Sequence, residues 1–136
     1  MKLRTIGETA MRTSGKMISF CDIFGKQEEF QRQIISQRQG CDYRDVVISD
    51  DLEWFKYHCM AMVEEMGEVV KADKRWKTHR NERYEPEEKL DEIADVFITA
   101  INIAMFSGFS SNEVQNAIMS KIDKNLERLN RLSTNS

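Results

Sequence analysis

Between Glu88 and Asn102 five polar side chains, Glu88, Glu92, Asp95, Thr99 and Asn102, recur at steps of four, three, four and three, and from Ile93 to Phe106 everything around them is apolar. That spacing places all five on one stripe of an α-helix, whereas a strand would alternate with a period of two. A helix that is apolar on its other sides is one that neighbours cover on most of them. The stripe therefore predicts a helix packed among other helices, with a polar seam along it. A carboxylate that faces into such a seam loses its hydration, which is costly unless a cation or hydrogen-bond donors replace the water. Asp95 is expected to need a partner.

The rest of the chain offers such neighbours. Six glycines and a single proline among 136 residues, with 32% charged, suit helices joined by short links better than a many-turned β fold. A first helix is expected from about Phe20 to Arg38, with Phe20, Ile23, Phe24, Phe30 and Ile34 at helical spacing, ending near Gly40. A second begins at the cap residues Asp50 or Asp51 and runs to about Trp76, with Phe55, Cys59, Met62, Met66 and Val69 as its packing stripe. Pro86 opens the third helix, which Gly108 ends; Ser110 to Glu113 is a capping box that opens the fourth. The expected class is all-α, an antiparallel four-helix bundle-like unit over residues 20–132, with residues 1–19 as an N-terminal extension and 133–136 as a tail.

Totals exclude several functions. A formal net charge of −3 argues against a binder of nucleic acid polymers. Cys21, Cys41 and Cys59 lack metal-ligand spacing, and only His58 and His79 stand by as further ligands, so neither a disulfide framework nor a zinc site is expected. The sequence contains no apolar run of membrane-spanning length and no signal-peptide core at its start, and the reading is a cytoplasmic chain without membrane contact.

On the second helix Glu64, Glu65 and Glu68 cluster beside the apolar stripe, with Ala61, Ala72 and Trp54 near them. Alone they fit a solvated helix face. Set against the third helix they pair with it: Glu65/Glu68 and Glu92/Asp95 are both i, i+3 steps, the arrangement two facing helices need to grip a cation. Carboxylates without histidine or cysteine suit a hard ion, Mg²⁺ with Mn²⁺ as a substitute. A structural charge network with lysines and arginines is the competing explanation.

Glu64-Glu65-x-x-Glu68 followed by Glu92-x-x-Asp95 resembles the paired acidic signature of the all-α nucleoside triphosphate pyrophosphohydrolases, the MazG-like and dimeric dUTPase-like superfamily, and Lys121, Asn125 and Arg128 resemble its downstream basic motif. The similarity spans about Phe20 to Leu132. It implies Mg²⁺-dependent cleavage of a (deoxy)nucleoside triphosphate to the monophosphate and pyrophosphate, either as nucleotide-pool house-cleaning or with dUTPase- or dCTPase-type specificity. It also implies that Glu65, Glu68, Glu92 and Asp95 hold the metal, that Glu64 completes the shell or orients the attacking water, and that Asn102 reaches the sugar or a water.

Lys121, Asn125 and Arg128 share one face of the last helix, where they would meet phosphate oxygens; the bland alternative is an exposed charged face. Trp76 and Lys77 follow the acidic helix, where Trp76 either stacks on a base or caps the core. Gln27 and Gln31 have no packing reason to sit beside Phe24 and Phe30, and are candidates for reading a base. A homodimer or homotetramer is expected, and the polar segment from Lys77 to Glu85 is the expected moving part. A non-catalytic helical interaction module is the alternative from another class.

Overall fold

The structure, a computed structural model, describes residues 12–13, 16–77, 79 and 83–135. Two-residue strands, β1 (Arg12–Thr13) and β2 (Lys16–Met17), pair antiparallel ahead of five helices: α1 (Phe20–Gln39), α2 (Tyr43–Ser49), α3 (Leu52–Ala72), α4 (Pro86–Phe106) and α5 (Ser111–Thr134). The all-α class holds. The remainder of the N-terminal extension lies outside the described residues, as do residues 78 and 80–82 of the link expected to move.

Each boundary has a local cause. Ser19 caps α1: its Oγ accepts from the Asp22 amide at 3.1 Å, and Asp22 accepts from the Ser19 amide at 2.9 Å. Gly40, at φ 64°, supplies the left-handed residue that ends α1. The same reciprocal box stands at Ser110 and Glu113, and Pro86 occupies the first turn of α4.

Two boundaries differ from the sequence reading. The short α2 was not expected, and the unit therefore has five helices; Asp42 starts it by accepting from the Arg44 amide at 2.8 Å, and its Val46-Val47-Ile48 run gives no helical period to read. The helix expected to reach Trp76 stops at Ala72, and Lys74–Trp76 form a separate 3₁₀ turn. Asp73 forces the break and anchors it: its carboxylate accepts from Arg75 Nη2 and from Lys89 Nζ, both at 2.7 Å, and so ties the end of α3 to the first turn of α4.

The core gathers Phe24 and Ile35 of α1, Tyr43 and Val46 of α2, and Ile101, Met105 and Phe106 of α4, with Trp54 of α3 packed against it. α3 lies along α4, and α1 crosses α4 and the start of α5. Three packing expectations are corrected. Of the stripe on α3, Cys59, Met62 and Val69 are half-buried but Phe55 and Met66 are 42% and 49% exposed, while the residue fully buried on this helix is His58. The side turned to α4 is the flank with Trp54, His58 and Glu65. On α4 burial is confined to the end after Val96, and Phe97 is 67% exposed. On α1 Phe24 of the expected stripe is buried and Phe20 and Ile34 pack against the core, but Ile23 and Phe30 are exposed, and Gln31 and Ile35 are buried beside Phe24. In each case periodicity finds an apolar face, but the described residues cover only part of it.

Among the described residues no single helix is long and apolar enough to cross a membrane. The three cysteines are free thiols.

Candidate metal centre and polar seam

α3 and α4 run antiparallel, because Glu65 meets Glu92 and Asp95 while His58, earlier on α3, meets Phe106, later on α4. Glu65, Glu92 and Asp95 can each offer a carboxylate oxygen such that all three lie within 4.8 Å of one another. Glu65 and Glu92 are half-buried; Asp95, expected to face inward, is exposed. The loss of hydration expected at Asp95 therefore falls on Glu65 instead. Burial, and then the charges of Asp95, Glu64, Glu92 and Glu68, push the Glu65 carboxyl above its ordinary range.

Glu68 is half-buried and Glu64 exposed, and both stand outside the group of three while still acting on Glu65. Glu88, at the start of the stripe, is exposed. Among the described residues four ion pairs form, and none includes Glu64, Glu65, Glu68, Glu92 or Asp95. The cluster is thus like-charged and uncompensated by lysine or arginine. Its donor set is all carboxylate oxygen, which fits a hard divalent ion and not a soft one.

The polar seam continues inward from the acids. Asn102 is buried, and its Oδ1 accepts from Gln27 Nε2 at 2.9 Å and from Gln31 Nε2 at 3.2 Å. Gln27 and Gln31, singled out in the sequence beside phenylalanines, therefore do meet the third helix's stripe. Two donors on one oxygen fix the amide, so the NH₂ of Asn102 and the Oε1 atoms of Gln27 and Gln31 are the groups left to bind something else. Thr99 closes the stripe locally by donating its hydroxyl to the Val96 carbonyl at 2.8 Å.

The remaining candidates are not gathered here. Trp76 is 57% exposed and donates its Nε1–H to the Val70 carbonyl at 2.7 Å, with the Lys77 ammonium 5.0 Å from its ring centre. It covers the end of α3 and takes no part in the core. Lys121, Asn125 and Arg128 lie on the exposed length of α5, where Arg128 Nη2 donates to Asn125 Oδ1 at 3.0 Å.

Sequence reasoning passed over His58 except as a possible zinc ligand. It is 3% exposed, stacked on Phe106 at 4.3 Å between ring centres, and its Nε2 has no hydrogen-bond partner among the described residues. One signal pointed to it: His58 precedes Glu65 by seven residues, two turns along the same face. Burial lowers its pKa to about 4.

The sign of that shift gives a test. An imidazole held neutral in the fold but free to protonate when unfolded stabilises fully above about pH 6.5, and this contribution is lost as pH falls from there toward 4. Urea midpoints are expected to drop across that window in the natural protein. In His58→Phe that part of the drop should vanish; an unchanged slope would mean that other groups cause it.

Comparisons with family models, with curated proteins and with solved structures find no match for this chain. What fold and site define together is a class: an all-α protein with a carboxylate cluster between two antiparallel helices and a buried amide seam two turns away.

Proposed function

We propose that this protein is a Mg²⁺-dependent hydrolase that cleaves nucleoside triphosphates to the monophosphate and pyrophosphate, in the manner of the all-α pyrophosphohydrolases its motifs resemble. The observation that carries the reading is the convergence of Glu65, Glu92 and Asp95 from two helices with no lysine or arginine paired to them among the described residues. Glu65, Glu92 and Asp95, with Glu68 next to them, would hold the ion, and Glu64 is placed in the sequence to orient water. When bound, Mg²⁺ supplies charge neutralisation for the triphosphate and acidity for water. Water adds to the α-phosphorus, the bond from that phosphorus to the bridging oxygen breaks, and pyrophosphate leaves with the electron pair. No covalent nucleophile is required.

The interaction-module alternative needs the acids to pair with lysines and arginines, and the ion pairs of the described residues lie elsewhere. Self-association belongs to the same proposal. Ile118, Ile122, Leu126 and Leu129 of α5 are 46% to 62% exposed, and Met60 and Met66 of α3 stay open as well. Such faces are covered when copies pair as a dimer or tetramer. An assembly of that kind is also the route by which Lys121, Asn125 and Arg128 would reach phosphate on another copy. The cytoplasm supplies both nucleotide and Mg²⁺.

The test is to incubate the purified protein with each (d)NTP, canonical and modified, with Mg²⁺ and to measure pyrophosphate, recording its mass by sedimentation under the same conditions. Release from one nucleotide or several, ended by a chelator, is the expected result. No release from any of them would overturn the proposal. The breadth of the panel response separates house-cleaning from dUTPase- or dCTPase-type specificity.

A further inference from the structure

A cleft of about 480 Å³ opens between α1 and α3, lined by Phe30, Gln31, Trp54, Tyr57, His58 and Asn102 among others. Its character differs from that of the acidic cluster. Aromatic rings form its walls: Trp54 and His58 each stack on Phe106, and Tyr57 meets His58 edge-on at 5.1 Å. Its polar lining comprises Arg38, Gln39 and Glu53 and two of the groups left over from the seam, the Asn102 NH₂ and the Gln31 Oε1, which offer a donor and an acceptor. A buried nitrogen with no partner is rarely tolerated, because its lost hydration is not replaced. The unpartnered His58 Nε2 is such a nitrogen, in the wall of this cleft.

The cleft also has a fixed relation to the acids. Seven residues separate His58 from Glu65 on α3, and seven separate Asn102 from Asp95 on α4. On antiparallel helices both walls therefore stand two turns, ~10.5 Å, from the carboxylates. A ligand with a phosphate chain at one end and a flat ring at the other would span that interval through its sugar.

We propose that this cleft receives the base of the nucleotide and that His58 determines base preference, its Nε2 completing a hydrogen bond to the ring's edge. The inference rests on the hydrolase reading for the identity of the ligand. Tyr57, 66% exposed and set edge-on to His58, is the side chain that shifts to let the ring's polar atom meet Nε2. The neutral imidazole, the Asn102 NH₂ and the Gln31 Oε1 then read the edge of a planar heterocycle, and Trp54 gives it a stacking face.

Binding of the five nucleoside monophosphates dAMP, dCMP, dGMP, dTMP and dUMP, measured by calorimetry in EDTA, tests this without metal or turnover. The natural protein is expected to prefer one or two of them. His58→Phe, which keeps the stack on Phe106, should weaken the preferred one by about tenfold, the order of one lost hydrogen bond, and level the series. His58→Gln, which packs less well but keeps a polar group, should recover part of the preference. A packing role alone would favour Phe over Gln. The proposal is overturned if His58→Phe leaves the order and strength of preference unchanged, or if no monophosphate binds at millimolar concentration. The two readings fail separately: His58-dependent binding without pyrophosphate release would leave the cleft and remove the hydrolase, and release with preference indifferent to His58 would do the reverse.

Discussion

Asp95→Asn and Glu65→Gln are each expected to lower pyrophosphate release by about 10³-fold, since losing one ligand of a charge-neutralising ion removes several kcal/mol from the transition state and each ~1.4 kcal/mol is a factor of ten. Neither change should weaken the fold. Asp95 is exposed, Glu65 is half-buried, and neither makes an ion pair among the described residues. Glu65 sits among four other carboxylates whose charges oppose its own ionisation, so an uncharged amide there relieves repulsion. Without metal the variants should melt at or above the temperature of the natural protein. The discriminating measurement is a Mg²⁺ titration followed by melting temperature: an ion that binds only the folded chain must raise it, and the rise should be present in the natural protein and lost in both variants. Glu88→Gln, on the same stripe but outside the group of three, is the control and should keep its activity. If Asp95→Asn retains more than about a tenth of the natural rate, the carboxylate cluster is not where the metal chemistry of this class is performed.

How far the sequence foretold this arrangement depends on which physical signal each element carries. Ser110, Glu113, Pro86 and Gly40 act within one turn of themselves, and the helix boundaries they mark stand where a local reading puts them. The seven-residue α2 has no such length of pattern; a run of β-branched residues and one capping aspartate are all it shows. Faces are harder than boundaries. The Phe55, Met62 and Met66 stripe is apolar, yet the flank with Trp54, His58 and Glu65 is the one that packs on α4, because periodicity reports that a face is apolar without reporting which surface is present to cover it. The meeting of Gln27, Gln31 and Asn102 was legible only as three oddities, amides beside apolar neighbours on two helices, until the helices were placed together. Asp95 shows the opposite failure: its helix was read as buried on most sides, but no residue of α4 before Thr99 is fully buried and Asp95 is exposed. The interhelical cluster nevertheless forms, because i, i+3 and i, i+4 spacing on each helix is enough to align carboxylates once the two helices lie antiparallel.

Phe106→Ala is expected to destabilise the protein by about 3–5 kcal/mol, the range for truncating a well-packed buried phenylalanine. The ring is 5% exposed and lies at the crossing of three helices: 5.7 Å from Tyr43 of α2, 5.4 Å from Trp54 and 4.3 Å from His58 of α3, centre to centre. Few neighbours can collapse into the space, because two of the three are themselves held in the stack. Urea denaturation should show a lower midpoint at an unchanged slope, which is the signature of lost stability without a change in the surface exposed on unfolding. Phe106→Leu, closer in volume, should recover most of the loss. The same truncation at Phe97 separates core from surface, since that ring lies open on the outer side of α4. For a monomer Phe97→Ala should move the midpoint by no more than about 0.5 kcal/mol. A larger effect that grows with protein concentration would place Phe97 inside an assembly, because stability drawn from association depends on how much partner is present. A Phe106→Ala protein as stable as its parent would mean that the Trp54, His58 and Phe106 stack does not hold α3 on α4, and the wall of the cleft between α1 and α3 would lose its physical basis along with it.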